Sequence, residues 1–166
     1  MITVRKATPE DALEISIVSV YTWKTTYSGL IPEAFIDSRI ERLMEIAERN
    51  KSEIEENNNF IVAMVDGVIV GFACYGESRE EEFINSGEIY AIYVLSSFQG
   101  KNIGKKIFNS CIEEIKKKRF DSVIINCLKG NNALDFYKHM GAKIIGERED
   151  KINGVLMIAD ILLLEI

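Results

Sequence analysis

The stretch Ser96-Ser97-Phe98-Gln99-Gly100-Lys101-Asn102-Ile103-Gly104-Lys105 separates an apolar run from an amphipathic one, and its residue types suit anion binding. A loop of small residues entering a helix leaves several backbone N–H groups without intrahelical acceptors. With the positive end of the helix dipole, those donors make a site for phosphate. Each charge-assisted hydrogen bond contributes roughly 1.5–3 kcal/mol, so a few of them would hold a pyrophosphate. The loop lacks the Gly-Lys-Ser/Thr ending of a P-loop and the Gly-x-Gly-x-x-Gly fingerprint, which disfavours Walker-type and dinucleotide sites. His139 is the sole histidine, and Cys74, Cys111 and Cys127 are dispersed; a multi-His metal site, a Cys/His hydrolase pair and a disulfide framework are all disfavoured. The cysteines sit in apolar runs and read as small core residues.

The elements that must position this loop follow from periodicity. A short strand over residues 2–5 precedes Thr8-Pro9-Glu10-Asp11, a helix start with Thr as N-cap and Pro in the first turn. Leu13, Ile17, Val20 and Tyr21 then predict one apolar helix face, and Ile36, Ile40, Leu43, Met44 and Ala47 predict a second helix opened by Pro32. The polar residues 51–59 read as a helix end and a loop. Two apolar runs flank Asp66-Gly67, a tight hairpin signal. Residues 78–82 are charged and read either as a lid contacting a substrate or, more ordinarily, as a solvated turn. Residues 88–95 form an aromatic-rich strand. Gly104, Ile107, Phe108, Cys111, Ile112 and Ile115 mark the clearest amphipathic helix, with a cationic end at residues 116–119 that complements the dipole. A strand over 123–128, a short helix closed by Gly141 and two strands around Asn153-Gly154 complete the chain. The order β-α-α-β-β-β-α-β-α-β-β specifies a mixed α/β single domain over residues 1–166.

The net charge of −6 disfavours nucleic acid, which wants a basic surface, and is compatible with a cationic acceptor. The sequence has no apolar run of the roughly 18 residues needed to span a bilayer and no signal-like start; a cytoplasmic location without a membrane partner is the default expectation.

Gln99-Gly100-Lys101-Asn102-Ile103-Gly104 resembles the Gln/Arg-x-x-Gly-x-Gly/Ala pyrophosphate loop of the GNAT acetyltransferases, with Asn102 in place of the first glycine. Asn is among the non-Gly residues that best tolerate a left-handed backbone, so the loop can keep its shape. Downstream, Asn131, Ala133, Phe136, Tyr137 and Gly141 match the family's Asn…Ala-x-x-Phe-Tyr-x-x-x-Gly-Phe segment, and Ala142 replaces the final Phe. Residues 21–32 and the segment from Gly141 onward resemble a bacterial branch acting on small molecules or proteins.

The resemblance implies a GNAT fold: one mixed sheet of about six to seven strands and about four helices, with a splayed parallel pair binding acetyl-coenzyme A. It implies backbone contacts to the pantetheine arm at Tyr93, Val94 and Leu95, with one N–H polarising the thioester carbonyl. It places Gln99, Gly100, Lys101, Asn102, Ile103, Gly104 and Lys105 at the pyrophosphate, with Asn131, Ala133, Phe136 and Tyr137 across the arm. Tyr137 would meet the departing sulfur, and Glu88, eleven residues before Gln99, matches the spacing of the base glutamate in the histone-acetylating branch. Tyr21, Trp23 and Tyr27 would line the pocket of a small-molecule or protein amine. The implied activity is N-acetyl transfer by direct attack in a ternary complex; the alternative is a weakly active coenzyme-A-binding sensor module. A homodimer is a further state the family allows.

Overall fold

The computed structural model describes residues 1–166. The chain folds as β1 (Ile2–Lys6), α1 (Ala12–Tyr27), α2 (Glu33–Glu41), α3 (Leu43–Asn57), β2 (Phe60–Val65), β3 (Val68–Glu77), β4 (Gly87–Val94), α4 (Ile103–Lys117), β5 (Ser122–Leu128), α5 (Ala133–His139), β6 (Lys143–Ile152) and β7 (Val155–Glu165). One seven-stranded sheet has the order β1-β2-β3-β4-β5-β7-β6. Every neighbouring pair is antiparallel except β4–β5, which α4 connects as a crossover. This is the mixed single sheet expected from the element order, with one helix more than expected. No helix is long and apolar enough to cross a membrane.

Hydrophobic alternation builds two layers on the sheet. One face of β5 (Val123, Ile125, Cys127) packs with Ile107, Phe108, Cys111 and Ile115 of α4 and Tyr137 of α5. The other face of β2 and β3 (Phe60, Val62, Ile69, Phe72) packs with Ala12, Ile15 and Val18 of α1 and Ile54 of α3. The β2–β3 hairpin closes as expected, with Asp66 and Gly67 both at positive φ (50° and 82°), the backbone of a two-residue type I′ turn.

The helical layer on that second face departs from the periodicity reading in three places. Leu13 and Tyr21 are exposed, and the buried side of α1 carries Ser16, Ser19 and Thr22 beside Ile15 and Val18. These small polar residues tolerate burial because their hydroxyls bond backbone carbonyls or neighbouring helices: Ser16 Oγ donates to Ala12 O (2.7 Å), and Thr22 Oγ1 to Val18 O (2.7 Å). Asn50 and Arg39 in turn donate to Ser16 and Ser19. The helix predicted after Pro32 is broken at Arg42 (φ −95°, ψ 22°) into α2 and α3, which shifts the phase and leaves Ile40 and Met44 exposed. Finally, residues 51–57 are helical; burying Ile54, a contribution of roughly 1.5–3 kcal/mol, ties down this polar end until Asn58 turns left-handed.

Candidate active site

The parallel pair β4–β5 is joined for only three rungs, Gly87–Val123, Glu88–Ile124 and Ile89–Ile125. Beyond them the strands part. The cause lies on β4: its register with β3 passes from Tyr75–Ile89 to Cys74–Ala91, leaving Tyr90 as a bulge. Residues after the bulge therefore hold one strand partner, β3, and no β5 residue pairs with Tyr90–Val94. Ile92 and Val94 pack toward α4, whereas Ala91 and Tyr93 pack toward α1. Tyr93, Val94 and Leu95 thus border the gap, although Leu95 lies past the strand and its N–H donates to Val70 O (2.9 Å).

The loop from β4 to α4 enters this gap. Gly100 (φ 77°) and Asn102 (φ 62°) both adopt left-handed conformations, so Asn102 takes the backbone the missing glycine would have had. The amides of Gly100, Lys101, Asn102, Ile103, Gly104 and Lys105 donate to no acceptor in the protein; the first helical bond is Lys106 N–H to Asn102 O (3.1 Å). Consecutive free amides in a left-handed turn at a helix N-terminus form an anion-binding concavity. The Gln99 side chain braces it by donating Nε2 to Val94 O (3.0 Å). Asn102→Gly should keep coenzyme A affinity within about 3-fold. Asn102→Val puts a β-branched residue where φ must be positive and should weaken binding by about 5- to 30-fold, measured by calorimetry.

Tyr137 projects from α5 into the same region and is buried. Burial, followed by the nearby Tyr93, Cys127 and Cys111, pushes its phenol well above the usual tyrosine range, so it stays protonated. The turn carrying it is fixed by Ala142 N–H donating to Tyr137 O (3.1 Å). Phe136 packs edge-on against Phe108 of α4 and touches the space over Gly104, joining α5 to the anion loop. Asn131 Oδ1 accepts from the N–H of Ala133, the first residue of α5 (2.9 Å), so its side chain is turned toward its own helix.

Of the three aromatic candidates on α1, two converge. Tyr27 Oη lies 3.1 Å from Tyr93 Oη, and Trp23 packs on Tyr27 with centroids 4.9 Å apart. Tyr21 is 55% exposed and lies with Lys24 and Thr25 beside Leu95, Ser96 and Ser97, at the loop entrance rather than with the pair. The corner between α1 and α2 is seated by Leu30, whose methyl would lie 2.7 Å from a Cβ added at Gly130, and the φ of 92° at Gly130 favours glycine there.

Glu88 is wholly buried, and both carboxylate oxygens are engaged by Arg79: the backbone N–H bonds Oε1 (2.9 Å), and Nε and Nη2 bond Oε2 (3.1 and 2.5 Å). Sequence reasoning missed Arg79. Its one signal was being the lone cation among Glu77, Glu80, Glu81 and Glu82. The cysteines are not uniform: Cys111 and Cys127 are buried and Cys74 is partly exposed. Burial keeps all three protonated, Cys74 at about 12, Cys127 at about 11 and Cys111 higher still.

A free-amide loop beside a parted parallel pair is the arrangement the resemblance implied. The family profile described as Acetyltransferase (GNAT) family matches residues 19–142. The chain belongs to the GNAT acetyltransferase family. An uncharacterized N-acetyltransferase, YuaI, of Bacillus subtilis is 30% identical over 155 residues, covering 93% of this chain and 88% of that protein. The spermidine N(1)-acetyltransferase of Thermoplasma acidophilum is 27% identical over 150 residues, covering 86% and 89%. The fold is shared with the PaiA N-acetyltransferase of the same organism, solved in complex with coenzyme A, at TM-score 0.79 and 23% identity over 100% of this chain and 99% of that one.

Proposed function

We propose that this GNAT protein moves the acetyl group of acetyl-coenzyme A directly to a primary amine. The observation that carries this reading is the run of unpaired amides from Gly100 to Lys105 next to the parted strands. A diphosphate supplies several charged acceptors and fits that donor set. The β4 edge after the bulge offers backbone groups to an extended, amide-bearing arm, as a missing strand would. The coenzyme A complex of the PaiA protein and the amine named for the spermidine enzyme support the same assignment.

Acetyl-coenzyme A supplies an activated thioester, whose C–S bond breaks as the amine nitrogen forms a C–N bond. The chain's residues do the rest. The loop amides fix one end of the donor, and a β4 amide at Tyr93 or Val94 that faces the gap stabilises negative charge developing on the carbonyl oxygen; the Leu95 N–H is already given to Val70 O. Tyr137 presents its phenol to the departing sulfur. Full proton transfer from a phenol near 10 to a thiolate near 8.5 is uphill by about 2 kcal/mol, and burial of Tyr137 steepens it. Tyr137 therefore acts chiefly by hydrogen bonding to the developing charge. Cys127 sits on β5 at the gap, but its thiol, held at about 11, is a poor nucleophile, which favours direct attack over an acetyl-enzyme.

A lysine-like amine must be deprotonated first, at a cost of about 4–5 kcal/mol near pH 7. Glu88 can accept that proton only after Arg79 releases it; with Arg79 in place, removal through solvent is the simpler route. Trp23, Tyr27 and Tyr93 form one wall for the acceptor. Acetylation of a panel of polyamines, aminoglycosides, amino acids and peptide amines, followed by free-thiol release, tests the reading. At least one amine should be acetylated at a rate above thioester hydrolysis; coenzyme A binding with no acceptor in the panel would favour the binding-module alternative.

A further inference from the structure

The connection from β3 to β4, residues 78–86, is solvent-exposed at Arg79, Glu81, Glu82, Ile84 and Asn85, yet it is clamped at several points. Its base is closed by Ser78 N–H donating to Ser86 O (2.9 Å) and by the Ser86–Ser122 hydroxyl pair (2.6 Å). Arg79 holds Glu88 with three hydrogen bonds and lies over the Tyr90 ring (4.2 Å to its centroid). Tyr90 Oη then donates back to Glu77 O (2.5 Å). Glu80 Oε1 accepts from Asn126 Nδ2 (3.1 Å) and from Arg148 Nη1 on β6, and Arg148 Nη2 also bonds Asp150 (3.0 Å). The strap is therefore fastened to β4, to β5 and, beyond the intervening β7, to β6 through the Arg148 side chain, on the face that α4 and α5 do not cover, since Val123, Ile125 and Cys127 point to α4 and Asn126 points the other way.

The position of these clamps carries the argument. Asn126 is the first β5 residue beyond the last paired rung, Ile89–Ile125, and Tyr90 is the bulge itself. The strap is thus pinned where the two strands separate, on the same face of the sheet as α1, whose Tyr27 reaches Tyr93. Glu88 is fully buried, whereas the Arg79 side chain is 61% exposed, so the guanidinium lies between the carboxylate and solvent. An acceptor ammonium reaching Glu88 would have to displace a two-pronged, charge-assisted contact that planar Arg makes better than a point-charge ammonium does.

We propose that Arg79, clamped by Glu88, and Glu80, clamped by Asn126 and Arg148, are positioning residues that fix the strap as the second wall of the acceptor cleft. Glu88 is the strap's anchor and not the proton acceptor. This assignment rests on the acetyl-transfer reading above.

Arg79→Gln, Glu88→Gln and the double variant test it. With the best amine from the panel and saturating acetyl-coenzyme A, each single substitution should raise the acceptor KM about 10-fold and change kcat by less than about 3-fold. The double variant should be no worse than the poorer single, because both remove one contact. The acid limb of kcat/KM against pH should be unchanged in Glu88→Gln. A readout independent of activity is cleavage by a glutamate-specific protease at Glu80–Glu82. It should accelerate about 10-fold or more in all three variants, with the melting temperature recorded to separate strap release from global unfolding. A 100-fold fall in kcat with loss of the acid limb in Glu88→Gln would make Glu88 the base and overturn the proposal. A lower acceptor KM in Arg79→Gln, or strap cleavage no faster than in the parent, would overturn it as well. If the parent protein acetylates no amine, the acetyl-transfer reading fails on its own, and the cleavage result still decides whether the strap is clamped.

Discussion

Tyr137→Phe is expected to lower kcat by about 10- to 1,000-fold while leaving coenzyme A affinity within about 3-fold. The substitution removes one hydroxyl from a buried ring whose packing against Phe136 is otherwise retained. That hydroxyl is kept protonated by burial, so it is a standing donor for sulfur as negative charge develops there. The loss should appear in kcat rather than in the KM for acetyl-coenzyme A, because the bond strengthens only as the thiolate leaves. The deficit should also be nearly constant from mildly acid to neutral pH, since the phenol does not titrate in that range. Steady-state rates at several pH values check both points; a variant with parent turnover would remove Tyr137 from the mechanism.

The second large effect is expected at the anion loop. Lys105 is exposed at the third position of α4, and its side chain makes no hydrogen bond within the protein. A glutamate there can fold back on the free amide of Asn102 as in a capping box, occupying a donor the diphosphate needs. It also replaces a cation with an anion at the positive end of the helix dipole. Lys105→Glu should therefore raise the Kd for coenzyme A about 100-fold at low salt, and less at high salt, where screening weakens the repulsion. The same change favours the helix itself, so the melting temperature should hold or rise. Weaker binding in an equally stable protein separates a lost ligand contact from a damaged fold; calorimetry and a thermal melt give both numbers.

These effects concern features that local sequence made legible. The left-handed turn at Gly100 and Asn102, the hairpin at Asp66-Gly67 and the amphipathic face of α4 depend on residues within a few positions of one another, and short-range rules read their shapes correctly. The α1 stripe held at Val20 but failed at Leu13 and Tyr21, because burial there is shared by serine and threonine, whose hydroxyls bond their own helix and which hydropathy marks as polar. The break at Arg42 carries no proline or glycine, so an unbroken helix was the natural reading of Ile36 to Ala47.

The site divides along the same line. The proposed cofactor half is a loop and a helix start, continuous in sequence. The acceptor half proposed above draws on α1, the β3–β4 strap, β5 and β6, through pairs such as Tyr27–Tyr93 and Glu80–Arg148 that are 66 and 68 residues apart. Only the folded sheet brings those together. Glu88 shows the consequence: its spacing from Gln99 suggested a base, while its partner Arg79 depends on how the strap folds back over β4.

Amide chemical shifts in a titration with coenzyme A test the central claim most directly, with pantetheine as the comparison. Coenzyme A should move the Gly100–Lys105 amides strongly downfield as they take up the diphosphate, and pantetheine, which lacks it, should leave them in place. Loop amides that stay unmoved while coenzyme A binds elsewhere would contradict the account.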